Sequence, residues 1–202
     1  MSARISARWL AVSVVMVFAT GASAQEKKAP EMTPEQQATM AAYQKAGTPG
    51  PQHKMIAAGG GTYDLKIKNW HEPGGPPTEE TGTATRKMIL DGRVGVEDMS
   101  STMMGMPFTG HGMRGYDNVT GKYWQLWMDS MSTGVMVSEG TCDEKGTCTF
   151  TGSWNDAVTK APVNARMVVR RTSPTTELFE MYAPDPTGKE MKMMEITYTK
   201  KP

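Results

Sequence analysis

The chain has 202 residues, with 22 Lys and Arg against 21 Asp and Glu, three His, and a formal net charge of +1. That balance argues against a binder of nucleic acid or of anionic membrane surfaces, because both need a clustered positive field. The length suffices for one domain with a real apolar core.

Residues 1–24 read as a secretory signal. Arg4 and Arg8 precede the apolar run Trp9 to Thr20, and Ala22-Ser23-Ala24 fits a small-residue cleavage site. The run is too short to span a bilayer, and no Cys follows it to carry a lipid. The mature chain then begins at Gln25 with 178 residues (202 less 24), and loss of Arg4 and Arg8 leaves 20 basic against 21 acidic residues, a net charge of −1. A periplasmic or secreted protein with no membrane span after signal removal is expected.

Residues 25–52 form an expected arm. Thr33-Pro34-Glu35-Gln36 combines an N-cap threonine, a proline at the first helical position and a glutamine that completes a capping box, so it predicts a helix from Pro34 to Ala46. Gly47 would end it. Met40 and Tyr43 give this helix only a thin apolar stripe.

From residue 53 to residue 202 the pattern is that of one all-β barrel domain, with strand signals recurring between turn residues. Expected strands run Tyr63 to His71, Thr81 to Leu90, Val94 to Met103, Thr109 to Tyr116 and Tyr123 to Ser130. They continue with Val135 to Thr141, Thr147 to Asn155, Asn164 to Thr172, Glu177 to Tyr182 and Glu190 to Thr199. That makes about ten strands of ordinary length. Asp91-Gly92 is the strongest hairpin signal, and Asp117-Asn118 with Gly121 supplies another connection. Along one strand Tyr123, Gln125, Trp127 and Asp129 share a face, while Trp124, Leu126, Met128 and Ser130 share the other. A strand bulky on both faces belongs in a sheet that is covered twice or closed. After Gly47 no long segment keeps a 3.6 period without Gly or Pro, which excludes a helix-rich fold.

Gly105 to Gly134 reads GMPFxGxGxxGYDNxxxKYxxxWxDSMSTG, with ILDGR before it and KMMEITY near the end. In these motifs the chain, from about His53 to Tyr198, resembles the bacterial domain-of-unknown-function family 1579. The resemblance implies a lipocalin-like β-barrel and no assigned activity. It also implies a short helical turn from His53 leading to Gly-x-Trp at the first strand. Here Tyr63 stands where the Trp is expected; its ring suits the same floor if its hydroxyl finds a partner.

Two cysteines lie in TCDEKGTC. If Asp143 and Thr147 face each other across a loop with Gly146 in the left-handed region, Cys142 and Cys148 become directly opposed and within disulfide reach. In an exported chain that bond is expected. A redox pair is the poorer reading, since the loop is short and no CxxC is present.

Strand parity supplies the candidate site. With Thr83, Thr85 and Lys87 outward, Ala84, Arg86, Met88 and Leu90 point inward. With Glu190 and Lys192 outward, Met191, Met193, Glu195 and Thr197 point inward. Charges such as Arg86 and Glu195 in an apolar interior need a partner. An Arg86–Glu195 or Arg86–Glu180 ion pair would supply one, and so would an anionic ligand at Arg86. Trp70, Tyr116, Trp127, Phe150, Trp154 and Tyr182 are the large aromatics expected at the cavity. Asp129 either accepts from the turn that follows it or meets the ligand. His111, between two glycines, is a candidate at the barrel mouth. The expected ligand set is therefore Trp70, Arg86, Met88, His111, Tyr116, Trp127, Asp129, Tyr182, Met193 and Glu195.

Seven of the 19 methionines cluster at Met99 to Met106 and Met191 to Met194. Thioethers suit copper(I), and flexible methionines also fill irregular interiors or line adaptable pockets. His53, His71 and His111 lie in different segments, so spacing compels no metal site. There is no GxSxG, HExxH, GxGxxG or P-loop, and no cofactor is expected. These observations read together as a monomeric exported barrel binding a small apolar or amphipathic molecule. The alternatives are a cavity enzyme of hydrolase or isomerase type, a methionine-based copper binder, and a structural barrel with a filled core.

Overall fold

The computed structural model describes residues 32–202; the expected signal segment lies outside the described residues. Helix α1 (Pro34–Gly47) begins with the capping box its sequence predicts: Thr33 Oγ1 accepts from the Gln36 N–H, and Gln36 Oε1 accepts from the Thr33 N–H. None of its residues is buried. It is tied down at its C-terminus, where Asn118 Nδ2 donates to the Ala46 and Thr48 carbonyls at 2.9 and 2.8 Å and Arg93 Nε donates to the Gly47 carbonyl at 3.0 Å. Those carbonyls are among the acceptors a helix end leaves open, and a cation there also meets the negative end of the helix dipole.

Where a short turn was expected, a second helix forms, α2 (Pro51–Ala58). Pro51 opens it, and the buried His53 accepts the Gly50 N–H at Nδ1, 3.0 Å away.

Ten strands follow: β1 (Gly61–Asn69), β2 (Thr78–Ile89), β3 (Val94–Met103), β4 (Met106–Asp117), β5 (Lys122–Asp129), β6 (Met136–Cys142), β7 (Cys148–Asn155), β8 (Pro162–Ser173), β9 (Thr176–Pro184) and β10 (Glu190–Lys200). Each pairs antiparallel with its neighbours in sequence, and β10 pairs with β1, closing a barrel. The all-β closed architecture is thus the expected one. At the β2–β3 hairpin, Leu90, Asp91 and Gly92 all take positive φ (51°, 51° and 82°), the left-handed backbone that Asp-Gly tolerates best. Leu90 consequently sits exposed in the turn and not, as parity suggested, inside.

α2 lies against β3 and β4 at the end of the barrel, with Ile56 packed on the inner cluster of Tyr123, Cys148, Phe150 and Met167. A second cluster joins Tyr63, Leu65, Ile67, Ala84, Met99, Phe108, Ile196 and Tyr198. The Tyr63 hydroxyl donates to the Gly59 carbonyl at 2.8 Å, which supplies the partner that a tyrosine at this floor requires. Cys142 and Cys148 face each other across β6 and β7 and form the expected disulfide, with the Asp143 N–H donating to the Thr147 carbonyl and Gly146 at φ 79°.

One stretch departs from its parity. Lys192 faces outward as expected, but the β9–β10 register slips between Lys192 and Met194. Past that bulge the alternation is reversed, so Met194, Ile196 and Tyr198 take the interior while Glu195 and Thr197 face out. No helix among the described residues is long and apolar enough to cross a membrane.

Candidate binding cavity

The barrel encloses a cavity of about 720 Å³. Its wall is apolar and rich in thioethers, with Met99, Met136, Met167, Met181, Met194 and Phe179 among its side chains. It reaches the rim opposite α2, where Met131 and Val135, both exposed, belong to the β5–β6 connection.

Near the α2 end the lining turns polar. Glu97 is 4% exposed and accepts three hydrogen bonds: from Arg86 Nε and Arg114 Nη2 at Oε2 (2.5 and 2.6 Å), and from the Tyr198 hydroxyl at Oε1 (3.1 Å). Arg86, 7% exposed, also donates from Nη1 to Glu177 Oε1 at 2.8 Å. Its guanidinium carbon lies 4.1 Å from the Tyr198 ring centre and 4.9 Å from that of Tyr63, so its apolar faces are covered by aromatic rings.

Two cations thus meet two carboxylates. Burial alone would pull the Arg86 pKa down, but Glu97 and Glu177 more than offset it and the value is raised. Burial would push Glu97 up; Arg86 and Arg114 outweigh it and hold the carboxyl below its ordinary value. The Tyr198 hydroxyl is pushed far up, first by burial and then by Glu97. All three shifts move away from neutrality, so these groups act as fixed charges and a fixed donor and not as proton carriers at pH 7.

Of the residues expected at the site, Arg86, Trp127 and Asp129 line the cavity, as does Trp154 among the other aromatics expected there. Trp127 Nε1 donates to Asp129 Oδ2 at 3.0 Å, and Asp129 Oδ1 accepts the Met131 N–H at 3.0 Å. The Trp127 ring lies over Gly110 and Gly112, where a Cβ at Gly112 would come within 3.3 Å of it and one at Gly110 would overlap it. That close approach accounts for the glycines on the inner face of β4.

The other expected residues lie elsewhere. Met88 does point inward, but its sulfur sits beside Gly95 and Ile56 at the α2 end. Tyr116 packs there too, its ring 4.8 Å from Tyr123 and 6.0 Å from His53. His111 alternates with Gly110 and Gly112 and therefore faces out, where Nδ1 pairs with Asp98 Oδ1 at 2.7 Å. Tyr182 stacks under Arg166 on the outer wall at 4.2 Å, and Lys192 lies near both the Tyr182 and Trp70 rings. Met193 falls in the register slip, and Glu195 accepts from Lys192 at 2.8 Å outside the barrel.

Arg86 therefore pairs with neither Glu195 nor Glu180, both of which face out. Glu180 is held by Arg170, Lys192 and the Tyr182 hydroxyl. Sequence reasoning missed Glu97, Arg114, Gln125, Ser138, Glu177 and Tyr198. A signal for Glu97 was present, since a hairpin turning on Asp91-Gly92 that pairs Ile89 with Val94 counts back to Arg86 opposite Glu97. Met99, Met103 and Met194, drawn from both methionine clusters, belong to one packed group. No group of three or more His, Cys, Asp or Glu side chains suited to a metal ion occurs among the described residues.

No curated protein matches the chain. A solved structure of a redesigned beta barrel aligns with it at 12% identity and a TM-score of 0.39, over 77% of this chain and 100% of that one. The family model described as a protein of unknown function, DUF1579, matches residues 48–200. The match takes in α2, all ten strands and every motif that suggested the resemblance, and the chain belongs to this family.

Proposed function

We propose that the protein is an exported, monomeric barrel that holds one small apolar or amphipathic molecule in its interior. The observation that carries this reading is the cavity of about 720 Å³ with its methionine-rich wall. Its size falls within the roughly 300–1,000 Å³ of small-molecule sites, and unbranched thioether side chains adapt to cargoes of different shape. Export is supported by the Cys142–Cys148 bond, because disulfides persist in oxidising compartments.

The ion cluster favours binding over hydrolase or isomerase chemistry. Its carboxylates and guanidinium groups neutralise one another, and the shifts of Arg86, Glu97 and Tyr198 carry them away from the range useful for proton transfer. The adjacency of Met99, Met103 and Met194 supports a second reading, a thioether-bound copper(I) ion.

Native mass spectrometry of the protein purified from its own compartment, followed by the same sample denatured, tests both. The expected result is an added organic mass that leaves on denaturation. An added metal mass would transfer support to copper. A bare oxidised polypeptide would count against a held cargo and favour a structural barrel or a transient substrate.

A further inference from the structure

One row of the inner wall, next to the ion cluster, carries polar side chains across three strands. The register sets Arg114 of β4 beside Gln125 of β5, and Gln125 beside Ser138 of β6. All three line the cavity. Ser138 is only 2% exposed, yet its hydroxyl has no hydrogen-bond partner among the described residues. Arg114 spends Nη2 on Glu97 and has Nε and Nη1 left over, and the Gln125 amide makes no side-chain hydrogen bond there either. A buried hydroxyl without a partner is uncommon and costly, which points to a missing acceptor or donor inside the cavity.

Building on the cavity-binding reading, we infer that the row Arg114–Gln125–Ser138 receives the head of the cargo, and that this head is a neutral hydrogen-bond acceptor such as a ketone, aldehyde or ester carbonyl. Arg114 offers donors only, and glutamine and serine donate as readily as they accept, so an ammonium head is mismatched. A carboxylate is mismatched for another reason. Arg86 and Arg114 are already balanced by Glu97 and Glu177, and Glu80 and Asp129 add two more carboxylates to the lining, for a fixed charge of −2 (two cations against four anions). An anionic head would leave water for an interior that is already negative. A carbonyl takes the spare N–H and O–H donors without adding charge, and its apolar tail lies along the methionine wall towards the rim.

The test uses the full mature chain, loaded with a neutral fluorescent naphthylamine probe that is displaced at pH 7 by 2-decanone, decane, decanoate or decylammonium. We expect 2-decanone to bind about tenfold more tightly than each of the other three, roughly the effect of one good hydrogen bond. Ser138→Ala and Gln125→Met each lower the decane-to-2-decanone ratio of dissociation constants by about threefold or more. Thr151→Ala, on the outer face of β7, leaves that ratio unchanged. Decanoate or decylammonium binding as tightly as 2-decanone overturns the inference, as does a ratio that stays the same in either inner-wall variant. Failure of the probe and all four compounds to bind overturns the cavity-binding reading itself, and the head-group site with it.

Discussion

The barrel wall carries two ion clusters of similar plan, one on each face, each a glutamate held by two cations and a tyrosine hydroxyl. Inside, Glu97 is held by Arg86, Arg114 and the Tyr198 hydroxyl. Outside, Glu180 is held by Arg170, Lys192 and the Tyr182 hydroxyl. The two carboxylates are almost equally buried, at 4% and 5% exposed. Their cations differ, however: the Arg86 and Arg114 side chains are 6% and 26% exposed, against 42% and 29% for Arg170 and Lys192. Outside, the glutamate is sheltered by long stems whose charged heads still reach water. Inside, Arg86 is itself sequestered, while Arg114 is about as open as Lys192 but faces the cavity. The energetic weight of a buried carboxylate depends on how wet its partners are, and not on its own exposure alone.

The largest predicted effect breaks the inner cluster. Glu97→Ala leaves Arg86 buried with only Glu177 beside it, and it should lower the unfolding free energy by about 3–5 kcal/mol in urea titrations. A loss below about 1 kcal/mol, the scale of an exposed pair, would erase the contrast between the two faces.

Acid acts on both clusters together. The Glu97 and Glu180 carboxyls are each pushed up by burial, but their cations win and the folded-state values lie below the ordinary 4.5. Depressed carboxyls stabilise the fold fully above that ordinary value, and the contribution is lost as pH falls from 4.5 through the folded values. Stability should therefore fall steeply below pH 4.5, and Glu180→Gln should make that fall shallower by about 1 kcal/mol while leaving its larger part in place. At the other extreme Tyr198 is raised, so its contribution is complete below its ordinary 10.0 and drains away above it. Urea midpoints across pH measure both limbs.

This asymmetry between the faces also marks how far the sequence can be read. Turn chemistry and alternation suffice for strand count, order and closure, because Asp-Gly at 91–92 and the Asp143–Thr147 loop each set a register locally. Arg86 and Trp127 fall inside for the same reason, since no bulge separates them from their turns. Glu195 and Met193 were misplaced because a single slip between Lys192 and Met194 reverses every later side chain, and nothing in KEMKMMEITY announces it. His111 was drawn to the mouth by its glycine neighbours, although those glycines mark the inner face under Trp127 and so send the histidine out. Arg114, Gln125 and Ser138 form a row only through pairing between strands, a relation that no single segment displays.

Smaller effects sharpen the comparison. Glu180→Ala should cost roughly 1–2 kcal/mol, less than Glu97→Ala, because Arg170 and Lys192 can turn back to solvent once their partner is gone. Salt gives the finest discrimination. In 1 M NaCl the screening length shrinks to about 3 Å, which weakens pairs whose cations touch water and spares those that are enclosed. The cost of Glu180→Ala should then drop by about 0.5 kcal/mol, while that of Glu97→Ala stays within error. Equal shrinkage in both variants would mean that ions and water travel down the cavity as far as Glu97. The inner cluster would then be a solvated floor, and a cargo would have to displace that water before reaching Arg114.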